Sequence, residues 1–60
     1  MKFVLEIAFD ESDQPTAITE IGRALRYWAG NLKHYDLAEP VTEQITDSAY
    51  EPIGSWSIQP

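Results

Sequence analysis

Cysteine is absent from this sixty-residue chain, which excludes a disulfide framework and a thiolate metal site. Cations are scarce: four Lys or Arg stand against ten Asp or Glu, for a formal charge of −6 and a pI near 4.3. Neutralising a phosphate backbone takes Lys and Arg, and the four here, with Glu20 beside Arg23 and Arg26, form no dominant basic patch. Glycine occurs only at positions 22, 30 and 54, too far apart for a phosphate-cradling loop. The single histidine, His34, has no motif around it, and no serine lies in a nucleophile-elbow pattern. Long apolar runs are missing too. The opening MKFVLEIAFD is broken by Glu6, too short and too charged for a signal-peptide core or a membrane span. A two-layer domain of this size leaves little room for a concave site. These absences lead us to expect a soluble protein of a cell's interior, with no enzymatic activity, no cofactor and no metal.

Aromatic residues are well represented, with two Trp, three Tyr and two Phe, so a folded domain is expected despite the charge. In residues 2–9 apolar and other side chains alternate: Phe3, Leu5, Ile7 and Phe9 share one face of an extended segment. The loop DESDQP follows. Asp10, Glu11 and Asp13 lie within four residues, but the glycine and distal Glu of an EF-hand loop are missing. Pro15 and the acids before it instead mark a helix entry. Residues 16–34 form that helix, with Ile18, Ile21, Leu25, Trp28 and Leu32, continued by Tyr35, at spacings of three and four, and with Ala17, Ala24 and Ala29 flanking and widening that stripe. Glu20, Arg23, Arg26, Tyr27, Gly30 and Asn31 are assigned to the opposite face. The apolar seam is shorter than three heptads, so it is read as core and the protein as a monomer.

EPVTEQI at 39–45 is echoed by EPIGSWSI at 51–58, twelve residues later. Proline is tolerated as the first residue of a strand, and the two segments, 41–47 and 53–58, read as an antiparallel hairpin. The order is therefore strand, helix, strand, strand: an α+β, two-layer βαββ domain over residues 1–60. One helix packs on a three-stranded antiparallel sheet of order 2-3-1, because a central last strand makes every neighbouring pair antiparallel. Trp56 then lies under the helix, and Gly54 is read as the place where the helix comes close.

With no catalytic constellation, protein binding remains, and the acids are its handle. Asp10, Glu11 and Asp13 form one cluster. Glu39, Glu43, Asp47 and Glu51 recur at every fourth position through the hairpin. Alternate strand residues lie about 6.6 Å apart, close to the spacing of successive phosphates. In an unbroken strand Glu43 and Asp47 would share a face with Val41 and Ile45, which requires a bulge or partial exposure of that face. Tyr50, like Tyr27, is expected at an exposed position suited to an interface.

The pattern resembles small proteins of phages and actinobacterial mobile elements, in which a strand precedes a helix E-I-A-R-I-L-R-x-L-A and a hairpin D-x-N-G-x-x-V-G-x-W-x-I. Glu20, Ile21, Arg23, Leu25, Arg26 and Ala29 match the helix, and Asp47, Gly54, Trp56 and Ile58 match the hairpin. Most of the chain is covered except the loop at 30–40. Where that pattern has Asn-Gly this chain has SAYEP, so a tight type I′ turn is not expected. In size, acidity and layout the chain also resembles a type I-C anti-CRISPR protein of the DNA-mimic kind. That resemblance implies binding, in the host cytoplasm, to the basic surface of the large subunit of the Cascade complex, with the acids in place of phosphates. The candidate partner-binding residues are Asp10, Glu11, Asp13, Glu39, Glu43, Asp47, Tyr50 and Glu51.

Overall fold

In a computed structural model that describes all residues 1–60, strand β1 (Lys2–Ile7) leads through a 3-10 turn (Glu11–Asp13) into helix α1 (Gln14–Asn31). A second 3-10 turn (Leu32–His34) leads out of the helix towards β2 (Val41–Thr46) and β3 (Pro52–Gln59). The sheet order is β1-β3-β2, with both neighbouring pairs antiparallel. This is the expected α+β βαββ fold. Pro15 occupies the first turn of α1, where its missing N–H costs nothing, and Pro52 opens β3.

Register decides which side chains meet the helix. Phe3, Leu5 and Ile7 of β1 stand opposite Ile58, Trp56 and Gly54. Val41, Glu43 and Ile45 of β2 stand opposite the same three residues from the other side. All nine positions therefore share one face, because side chains alternate along each strand. The helix covers that face. Ala24, Ile45, Trp56 and Ile58 form the buried core, with Leu5, Ile7, Trp28, Leu32, Tyr35, Val41 and Ile53 packed against it. Trp56 has no solvent exposure. Phe3 stacks on its ring with centroids 5.5 Å apart, while Trp28 and Tyr35 meet it edge-on at 5.2 and 5.1 Å. Each such pair adds about 0.5–1.5 kcal/mol beyond area burial. Together they offset the buried indole N–H of Trp56, which has no hydrogen-bond partner and costs about 1–3 kcal/mol.

Several sequence expectations are corrected. β1 ends at Ile7, not at residue 9; Phe9 lies beyond it and is 59% exposed. The chain leaves the sheet there because Asp10 caps the next turn, its carboxylate accepting from the Ser12 N–H at 2.9 Å and the Ser12 hydroxyl at 2.7 Å. The helix is also rotated relative to the expected stripe. Ile18 and Leu25 are 69% and 47% exposed, and Ala24 is the buried residue. Placing Trp28 against Trp56 turns Ala24, about one helical turn earlier, onto the sheet, where its small side chain allows close approach. Glu20 and Arg23 consequently face β2 rather than open solvent. Finally, Gly54 makes room for a strand and not for the helix. A Cβ there would lie 1.9 Å from the Glu6 carbonyl oxygen and 2.9 Å from the Ile7 Cα, so the backbones of β1 and β3 need glycine at this crossing.

Candidate interaction surface

The C-terminal end of β1, the N-terminal end of α1 and the β2–β3 turn all lie at one end of the molecule, as the antiparallel pairings require. Two acidic clusters that are distant in sequence thereby come together. Phe9, Asp10, Asp13, Glu20 and Asp47 line a single hollow of about 260 Å³. Glu11 and Glu51 are exposed beside them. Arg23 supplies the single ion pair of the molecule, to Glu20 at 3.3 Å.

These carboxylates are held in place by short-range hydrogen bonds. Asp10 caps the 3-10 turn as described. Asp47 organises the hairpin turn: its carboxylate accepts from the Ala49 N–H at 2.9 Å and the Glu51 N–H at 3.0 Å. Its backbone closes a three-residue loop by donating to the Glu51 carbonyl at 2.9 Å and accepting from the Tyr50 N–H at 3.0 Å. Glu20 ties the helix to that turn, accepting from the Ser48 hydroxyl at 2.6 Å and the Ser48 N–H at 3.0 Å. Arg23 adds a bond from its Nη2 to the Thr46 carbonyl at 3.3 Å. The hydrogen bonds from Ser12 hold Asp10 below its ordinary pKa. The Ser48 hydroxyl does the same for Glu20, with the Ser48 N–H and Arg23 adding to it against a smaller opposing effect of burial. Both groups favour the ionised form.

Tyr50 stands at the tip of this end. It is 87% exposed and has φ of 62°, the only positive φ in the chain. That conformation costs an L-residue about 1–2 kcal/mol and is the position glycine takes in most three-residue hairpin loops. With Arg23, Tyr27, Gln44, Asp47 and Ser48, Tyr50 also lines a hollow of about 430 Å³ between α1 and β2.

Of the eight candidate residues, Asp10, Glu11, Asp13, Asp47, Tyr50 and Glu51 are brought to this end, and two are not. Glu39 lies before β2, at the opposite end of the molecule. Glu43 is on the helix-covered face opposite Trp56, half-buried, and accepts a hydrogen bond from the Tyr35 hydroxyl. That bond to Glu43 raises the Tyr35 pKa, with burial and the charge of Glu43 adding to it. The hairpin acids therefore do not form one continuous row. A bulge between Ile45 and Thr46 separates Glu43 from Asp47, as the clash between acidic spacing and apolar face requires. Glu20 and Ser48 had no signal in the sequence, since 28 residues separate them.

No group of three or more His, Asp or Glu residues is arranged to hold a metal ion, and no helix is long and apolar enough to cross a membrane. No family model, curated protein or solved structure matches this chain.

Proposed function

We propose that the acidic end is a docking surface for a basic, nucleic-acid-binding protein, and that the chain inhibits this partner by occupying the surface on which nucleic acid would lie. The observation that carries this reading is the convergence of Asp10, Glu11, Asp13, Glu20, Asp47 and Glu51 on one rigid end, with Arg23 as the one cation paired there. Anchored carboxylates on a small scaffold offer a fixed pattern of negative charge, which steers association with a basic surface and sets its register. The Cascade large subunit is the partner that the anti-CRISPR resemblance implies, and host cytoplasm is where the two would meet.

The test uses purified type I-C Cascade with target DNA as competitor. Binding is expected to be competitive with DNA and to weaken steeply as salt rises above about 0.1 M. Reversing Glu11, Asp13 and Glu51 to Lys, three acids whose carboxylates hold no internal hydrogen bond, is expected to weaken binding at least about tenfold, since charge pairs at such interfaces are commonly worth more than a kcal/mol each. Glu39→Lys, at the other end, is expected to leave it unchanged. Unaltered inhibition by the triple variant would sink the proposal.

A second reading rests on Tyr50, which is held exposed in a left-handed conformation next to the half-exposed Tyr27. A non-enzymatic phage assembly or adaptor module would use these rings as anchors. Its complex would resist salt and be lost on Tyr50→Ala, which separates it from the first reading.

A further inference from the structure

β1 is an edge strand, with β3 on one side and nothing on the other. The Ala8 N–H donates to the Ile53 carbonyl at 2.8 Å, which extends the register of β1 on β3 by one residue. Hydrogen-bonded pairs alternate in an antiparallel ladder, so Glu6, Val4 and Lys2 also turn their backbone groups towards β3. Phe3, Leu5 and Ile7 turn theirs to the open side. β1 pairs over six residues with no bulge, whereas the β2 edge carries a bulge and has its Thr46 carbonyl taken by Arg23. Bulges and charges blunt an edge against further pairing; β1 lacks the first.

Apolar side chains flank this open edge. Glu20 and Arg23 mark the flank of α1 that faces β2. Ile18 and Leu25, at about 100° per residue, fall on the other flank, above β1. Phe3 is also half-exposed there. On the opposite face of the strand the charges are Lys2 and Glu6, both exposed.

We infer that β1 pairs with β1 of a second copy of this chain, antiparallel about a two-fold axis through Val4. In that register Lys2 stands opposite Glu6 of the second copy, and Glu6 opposite its Lys2. Phe3 stands opposite Leu5 of the second copy, with the outward backbone groups of both available for the ladder. The strand is thus self-complementary in charge, in apolar side chains and in hydrogen bonding. A two-fold axis normal to the sheet keeps both helices on one face and turns their Ile18 and Leu25 flanks towards each other. It also directs the two acidic ends to opposite extremes of a six-stranded sheet, where their repulsion is smallest. This interface is independent of the acidic docking surface, and it replaces the monomer expected from the short helical seam.

Sedimentation equilibrium at low salt tests it. The protein is expected to sediment at twice its 6.8 kDa mass. Lys2→Glu and Glu6→Lys, each of which sets like charges opposite one another twice, are expected to weaken the dimer about tenfold. The double variant with both changes restores the pairs and is expected to return the dimer to within about threefold of the starting affinity. Leu25→Asp, at an exposed site, is expected to give a folded monomer, with retained near-ultraviolet dichroism of Trp28 and Trp56 as the check on folding. A wild-type monomer at about 1 mM, or a double reversal no better than the single ones, overturns the inference.

Discussion

The two ends of this molecule are held by different means. At the end where the termini meet the start of β2, side chains pack: Phe3, Trp28 and Tyr35 close around Trp56, and even the acid among them, Glu43, is covered and bonded to Tyr35. At the turn end, hydrogen bonds hold the parts: Glu20 to Ser48, Asp47 to its own loop, Asp10 to Ser12. This local hydrogen bonding gives the half-buried Glu20 and Asp47 and the exposed Asp10 the partners that a partly desolvated carboxylate needs. At the turn end these hydrogen bonds therefore add to a packed base, in which Ile45, opposite Gly54, is buried.

The sharpest way to break the packed half is Trp56→Ala. It removes the centre of the aromatic cluster and is expected to cost about 3–5 kcal/mol, comparable to the whole stability of a domain this size. Loss of the cooperative urea transition is the readout. Gly54→Ala comes next and strikes the last pair of the β1–β3 ladder. With a Cβ 1.9 Å from the Glu6 carbonyl, β1 and β3 must separate, and the expected loss is about 3 kcal/mol, read as a lowered urea midpoint.

Changes at the turn end are expected to be smaller, and one has the opposite sign. Tyr50→Gly relieves the left-handed strain and, after the entropy of the more flexible unfolded chain is set against it, stabilises by about 0.5–1 kcal/mol. A thermal melt that rises in this variant while partner binding falls would show that Tyr50 is kept for contact and not for folding. The smallest effect is pH-dependent. Asp10 and Glu20 have folded pKa values below their unfolded ones. Their contribution is present above the unfolded carboxylate range and is lost as pH falls through the lowered folded values. Tyr35 behaves in the opposite sense: its pKa is raised, so its contribution is present below about pH 10 and lost as pH rises through the folded value. Glu20→Gln should flatten the acid limb alone, and Tyr35→Phe the alkaline limb alone, in urea midpoints measured against pH.

Much of this was legible in the order of residues. The alternation in β1 and the Glu-Pro openings before β2 and β3 specify element types, because a strand buries one face and a proline tolerates only certain places in it. The rotation of α1 was not legible. Ile18 and Leu25 fit an apolar period as well as Ala24 does, and only the bulk of Trp56 below the helix selects between them. The acidic row shows the same limit. Equal spacing along the chain placed Glu43 with Asp47, but a bulge and the Tyr35 hydroxyl put the two in different surroundings.

By itself, then, the sequence determined the fold class, the central place of β3 and the burial of Trp56, all of which follow from period, proline position and the requirement that two apolar faces cover each other. Tertiary structure alone decided which acids stand together. Loop 10–13, helix residue 20 and turn 47–51 meet only because β1 and β2 both run towards that end, and no local rule of spacing carries information across 28 residues. It also decided that Gly54 separates two strands and not a strand from a helix, since a close approach is a property of two backbones and only one of them is written at that position.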